Sequence, residues 1–404
     1  MNLNHINYPT PFLLVDLDKV RQKYQMLRAA LPGVEIFYAM KPNPESRIIA
    51  TLLDEGCGIE VASPAELCQV LSLGARPSQI ITSNPIKAPS FLRALHTHGV
   101  NRMAFDSPIE VDKIAHYAPG SHVYLRLKTD NTGAEWPLSD KFGVDVAEAP
   151  DLLRYAADKG LRPFGLTFHV GSQCLNPHNW AIALQNCAQV MERVAGELPI
   201  EVINLGGGLP VAYGRAIPTL TEITTTINEA RHRLFGNQIR FQIEPGRFLV
   251  GDTAVLAASV IGKARRNDNH WLYLDVGIYN GLFDTIENFA YEMDFDVEPG
   301  RPYARFTIAG PSCDSMDKLF TNHPIPDLQV GERLYVQNAG AYTTAIAGHF
   351  NGFPPPAVIY TDDLPSHPVD NGLAGVTDQT FLEKSVNPAN PVQKKPKFGF
   401  IESN

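Results

Sequence analysis

The stretch VEIFYAMKPNPESRIIATLLDEGCGIEVASPAELCQVLSL, residues 34–73, decides the fold. Val34–Ala39 is a short run of β-branched and aromatic residues that ends at a lysine and a proline. Glu45–Glu55 follows with apolar residues three and four apart, the spacing of one helix face. Ile59–Ala62 is a second short apolar run, and Pro64–Leu73 a second helix-like stretch. Strands alternating with helices imply parallel pairing, because a parallel neighbour is reached only through a crossover, usually a helix.

The same unit recurs outward to about residue 250. The runs Gln79–Thr82, Arg102–Phe105, Val123–Leu127, Phe164–Phe168, Glu201–Leu205 and Arg240–Ile243 alternate with stretches such as Ile109–Tyr117, Trp180–Ala195 and Leu220–Phe235. Eight strands predict a (βα)8 TIM-like barrel, with an open doubly wound sheet as the second reading. After residue 255 the texture changes to alternating runs (AVLAASVIGKARR, HWLYLDVG, ARFTIAG, ERLYVQNAG, AVIY) separated by Pro, Gly and Asp turns. This reads as a β-domain, to which the opening FLLVDLD adds a strand. The expected division is residues 1–27 joining the β-domain, 28–255 the barrel, 256–363 the β-domain, and 364–404 a weakly ordered polar tail.

With 44% hydrophobic and 19% charged residues in 404, the chain can bury a large core. A net charge of −9 argues against a nucleic-acid or anionic-membrane partner. No apolar run approaches the roughly 18 residues of a membrane span. The opening MNLNHINYPTPFLLVDLDKV lacks the pattern of a signal peptide. Cys57, Cys68, Cys174, Cys187 and Cys313 show no C-x-x-C spacing, so neither a disulfide framework nor a metal site is expected. The expected setting is reducing and cytoplasmic.

Functional residues of such a barrel collect at the carboxyl ends of its strands. Those positions hold Lys41, Ser63, Asn84, Asp106, Arg126, His169, Gly206 to Gly208, and Glu244. An amine ending a buried strand can be desolvated into a nucleophile that captures an aldehyde cofactor; the plain alternative for Lys41 is a lysine snorkelling from the rim. The three glycines let backbone N–H groups approach a phosphate, or simply make a turn. Glu244 in EPGR can pair with a pyridine nitrogen while Gly246 and Arg247 hold phosphate; the alternative is a surface ion pair. His169 in FHVGSQ can stack on a flat ring, with Ser172 available to a phosphate, or be a satisfied core histidine. Cys313 and Asp314 can donate a proton and grip an amine, or be a free cysteine beside a turn. Tyr342 offers a phenol to phosphate, or packing alone.

Taken together, FYAMKPNP, EVASPAEL, SNPIK, FDS, EWPLSDKFG, FHVGSQ, NLGGG, EPGR, DVGIYNGL, GPSCDSMD and GAYTTAIAGHFNGF, in this order over roughly residues 8 to 360, resemble the ornithine, lysine and diaminopimelate decarboxylases of the alanine-racemase-like fold. CDSMD is similar to the bacterial ornithine/lysine branch. The resemblance implies pyridoxal 5'-phosphate as cofactor and a head-to-tail homodimer with shared sites. It implies that Lys41 carries the cofactor covalently, His169 stacks on its ring and Glu244 pairs with the ring nitrogen. Ser172, Gly207, Gly208, Gly246, Arg247 and Tyr342 would surround the phosphate, with Glu66 and Arg126 in support. Cys313 and Asp314 would arrive from the second subunit, and Glu287, Asn288, Asp314 and Phe350 would line the substrate side. The implied reaction is decarboxylation of ornithine or lysine. Glu60 stands where the family usually has aspartate, and Asn288 replaces the second acid of a pair. A modified diamino acid, as in siderophore or natural-product biosynthesis, is therefore the alternative substrate, and a racemase on the same barrel the alternative reaction.

Overall fold

The computed structural model describes residues 6–136, 141–287 and 289–364. Asn288 and the expected tail beyond Leu364 lie outside the described residues. Eight short strands form the first sheet: β1 (Val34–Ala39), β2 (Gly58–Glu60), β3 (Ile80–Ile81), β4 (Arg102–Phe105), β5 (His122–Arg126), β6 (Arg162–Thr167), β7 (Val202–Asn204) and β8 (Arg240–Ile243). They pair in parallel in the order β3, β2, β1, β8, β7, β6, β5, β4. A parallel bridge between Thr82 and Met103 joins the two ends. Thr82 donates its N–H to Arg102 O at 3.1 Å, and Ala104 donates to Thr82 O at 2.9 Å. The ring is thereby closed, which excludes the open doubly wound sheet.

Side chains fill the barrel, as such an interior requires. Ala104, Tyr124, Phe164 and Val202 form a buried cluster of their own. The Tyr124 hydroxyl donates to Gln242 Oε1 at 2.7 Å. A Cβ on Gly165 would lie 2.7 Å from the Tyr124 ring, so the missing side chain on β6 makes room for the large one on β5.

The helix Leu17–Ala30 begins where the Asp16 side chain accepts the Lys19 N–H at 2.9 Å. Leu17, Val20, Tyr24 and Leu27 form its buried stripe, and it packs between the helices Ser46–Asp54 and Leu220–Phe235. Only the four-residue helix Arg247–Val250 follows β8, so this N-terminal helix fills the remaining place in the outer ring. The expected boundary at residue 27 thus falls inside a helix of the barrel. Only Phe12–Val15 joins the second sheet, pairing antiparallel with Ala254–Arg266 and parallel with Ala357–Tyr360. That sheet runs Met293–Phe295, Arg333–Val336, Ala254–Arg266, Asn269–Leu274, Tyr303–Ala309, Lys318–Pro326. Among the described residues no helix is long and apolar enough to cross a membrane.

Candidate active site

A cavity of about 600 Å³ opens at the carboxyl ends of the barrel strands, within the size range of small-molecule sites. Lys41 reaches it from just beyond β1, Glu60 from the end of β2, Arg126 from the end of β5, His169 from beyond β6, Gly207 and Gly208 from beyond β7, and Glu244 from beyond β8. Residues from distant parts of the sequence meet because a closed parallel barrel brings every strand's carboxyl end to one rim.

Two buried acids line the cavity. Glu244 is buried, and its Oε1 accepts hydrogen bonds from Asn204 Nδ2 at 2.5 Å and from the Ser83 hydroxyl. Burial pushes its pKa up, while the Ser83 and Asn204 bonds and the charges of Arg126 and Lys41 pull it back. Glu60, equally buried, accepts the Ser83 N–H at 3.1 Å. Burial first and the Glu244 charge second push it up to about 8, against the pull of Lys41. A folded pKa above the unfolded carboxylate value contributes stability that is complete below about pH 4.5 and lost as pH rises through about 8. The melting temperature of cofactor-free protein is expected to fall between pH 5 and 8.5, and to fall less in Glu60→Gln. An equal fall in both would assign the slope to other groups.

His169 Nδ1 accepts the Gly171 N–H at 3.0 Å. Burial, then the Arg126 and Lys41 charges, hold its pKa far below the usual imidazole value. The ring is therefore neutral, with its proton on Nε2. A Cβ on Gly207 would come 3.2 Å from that nitrogen and 2.7 Å from the Glu244 carbonyl oxygen. The bare glycine keeps the face beside the imidazole open. Phe37 to Met40 are buried, yet the Lys41 side chain is exposed in the single chain. The desolvation expected for it must come from whatever fills the cavity.

The cavity lining also carries Ser172, Gly208, Gly246, Arg247 and Tyr342. A Cβ on Gly246 would meet Pro42 Cγ at 2.8 Å, so this turn packs directly on the one bearing Lys41. Tyr342 donates its N–H to Pro42 O at 2.7 Å. Arg247 is not part of a surface ion pair. It is 6% exposed, and its Nη1 donates to Asp284 at 2.8 Å and to the Tyr213 hydroxyl at 2.9 Å. Its guanidinium lies 4.7 Å from the Tyr342 ring centre. Glu66 does not line the cavity; it accepts the Ala62 N–H at 2.6 Å and braces the turn after β2. Ser83, Asn204 and Asp284 had not been singled out from sequence. The only signal for Asp284 was the acid-rich segment GLFDTIENFAY.

Cys313, Asp314 and Phe350 lie elsewhere than this chain's cavity. Cys313 is exposed, and both its N–H and its thiol contact Asn351 Oδ1, at 3.1 and 3.2 Å. Phe350 packs on Tyr279 with ring centres 4.6 Å apart. Buried Asp317 ties the two loops together by accepting the Ile278 N–H at 2.9 Å and the Ser312 N–H at 3.0 Å. The Glu287 side chain and Asn288 lie outside what the structure describes.

The family described as pyridoxal-dependent decarboxylase, pyridoxal binding domain, matches residues 17–251, which span the barrel and every cavity strand. This chain belongs to the pyridoxal-dependent decarboxylases. Among its family relatives, the lysine/ornithine decarboxylase of Selenomonas ruminantium is 37% identical over 89% of this chain and 91% of its own. The structure of the Vibrio vulnificus lysine/ornithine decarboxylase complexed with putrescine superimposes with a TM-score of 0.82 at 33% identity, covering 89% of this chain and 96% of the other. The Paramecium bursaria Chlorella virus arginine decarboxylase does so with 0.83 at 28% identity, covering 89% and 98%. Pyridoxal phosphate is the cofactor of this decarboxylase. The residues fit it: an amine for the aldehyde, an open face beside a neutral imidazole, a buried carboxylate, and an arginine among glycines, all on one cavity lining.

Proposed function

We propose that the protein decarboxylates a basic L-amino acid, with ornithine and lysine the leading substrates, releasing the diamine and CO2. The observation that carries this is the convergence of Lys41, His169, Glu244 and Arg247 on one cavity, together with the diamine in the Vibrio relative. The bound cofactor supplies an electron sink for the bond that breaks. Lys41 would hold it through its amine, which can condense with an aldehyde there. His169, held neutral, covers one ring face. Glu244 would keep a negative charge beside the ring nitrogen and so stabilise that nitrogen in its protonated, electron-accepting form. Ser172, Gly207, Gly208, Gly246, Arg247 and Tyr342 hold the phosphate, and Arg126 adds positive charge at the rim.

The proton donor is Cys313 of the partner subunit, with the partner subunit's Asp314 gripping the distal amine. An exposed thiol held by Asn351 and absent from its own chain's cavity supports a shared-site homodimer. Five unpaired cysteines support a reducing, cytoplasmic setting. Cys313→Ala is expected to slow turnover by about 10²-fold while leaving cofactor binding intact. Mixing Lys41→Ala with Cys313→Ala subunits should restore activity, since one of the two mixed sites is then wild type. Verified subunit exchange without recovery would contradict the shared site.

A modified diamino acid is the second reading. Asp284, an acid of the substrate-side segment, is committed to Arg247 and is not free to bind a distal amine. Loaded enzyme incubated with a panel of basic and distally modified diamino acids, scored for CO2 and amine, tests both. Turnover of ornithine or lysine supports the first, and turnover of modified substrates alone the second. No turnover of either class overturns the proposal.

A further inference from the structure

Three strand ends converge on one oxygen of Glu244. Ser83, two residues past β3, donates its hydroxyl to Oε1, and Asn204, the last residue of β7, donates its amide to the same atom at 2.5 Å. Among the described residues no hydrogen bond reaches Oε2. Ser83 also sends its backbone N–H to Glu60 at 3.1 Å, so this residue contacts both buried acids through different donors. Asn204 is itself held, its Oδ1 accepting the Gly206 N–H at 2.9 Å, which fixes the direction of its NH2 group.

We infer that Ser83 and Asn204 are positioning residues that occupy one oxygen of Glu244 and present the other, as a carboxylate, to the ring nitrogen of the cofactor. The inference rests on the reading that Glu244 pairs with that nitrogen. Its physical basis is simple. A buried carboxylate without donors takes up a proton, and a protonated Glu244 could not stabilise a protonated ring. Two donors on Oε1 favour the ionised form and stop the carboxyl from rotating. They also leave the second oxygen for the one donor that the cavity is to receive. Ser83 further separates the acids: its hydroxyl favours charge on Glu244, while Glu60 receives only a backbone N–H. The proton of the pair therefore resides on Glu60, away from the ring nitrogen.

The test compares the affinities of cofactor-free protein for pyridoxal phosphate and for its deaza analogue, in which the ring nitrogen is replaced by CH, by titration of tryptophan fluorescence. The two ligands share aldehyde and phosphate, so a change in general packing moves both affinities together and leaves their ratio unchanged. Wild type is expected to prefer pyridoxal phosphate by about tenfold or more, as one charge-assisted hydrogen bond implies. Ser83→Ala should reduce that preference at least threefold, Ser83→Thr should keep it, and Asn204→Leu combined with Ser83→Ala should nearly erase it. Should the double variant not fold, the Ser83→Ala and Ser83→Thr comparison decides alone. Glu244→Gln should show no preference. If Glu244→Gln keeps the full preference, the underlying pairing is wrong. If Glu244→Gln loses it but Ser83→Ala and the double variant keep it, the pairing stands and the clamp is overturned.

Discussion

Lys41→Ala, saturated with pyridoxal phosphate, is expected to lose the visible absorption of a covalently bound cofactor and at least about 10³ of the decarboxylase rate. Lys41 sits immediately beyond β1 on a turn fixed from two sides, by Gly246 packing against Pro42 and by the Tyr342 N–H bonded to the Pro42 carbonyl. Both neighbours also belong to the wall assigned to phosphate. The amine is thus placed relative to the phosphate site by a rigid turn, and alanine removes the nucleophile without disturbing that turn. The second lysine on the lining, Lys141, lies near the undescribed residues 137–140 rather than on a strand end. Retained covalent absorption in Lys41→Ala would place the anchor on another amine.

Glu244→Gln is expected to lower kcat by roughly 10²–10³-fold, the scale of losing one electrostatic partner in a site that excludes water. Covalent capture of the cofactor should survive, because the amine and the phosphate wall are untouched. Glutamine preserves shape and can still accept from Asn204 and Ser83 through its oxygen, but it brings no charge to the ring nitrogen. A near-normal kcat in Glu244→Gln would mean that the carboxylate only fills space. Loss of cofactor binding without any slower chemistry in the residual loaded enzyme would mean that it acts in the ground state alone.

The eight strands and their terminal residues were legible because each strand is a short apolar run stopped by a polar, charged or glycine residue, a pattern that core packing alone would not repeat. The closing helix was missed for a local reason. Leu17, Val20, Tyr24 and Leu27 carry helical spacing, but they follow FLLV so closely that the whole opening reads as one strand-bearing segment. Asn204 and Ser83 were invisible for a different reason. A polar residue ending a strand looks the same whether it faces solvent or a buried carboxylate, and only ring closure brings β3, β7 and β8 onto one oxygen. Glu66 was read from its motif as a supporting residue, and its Oε2 accepts the Ala62 N–H of the turn after β2. Arg247 was recognised, but its buried partner Asp284 lies 37 residues on, in a 3₁₀ segment with no periodic signal.

The central claim is a single bond between this chain and its coenzyme. Loaded protein should be reduced with borohydride, digested, and its peptides weighed. The pyridoxyl phosphate mass is expected on the peptide containing Lys41 and on no other. A labelled Lys141 peptide, or full release of cofactor with every lysine unmodified, would contradict it.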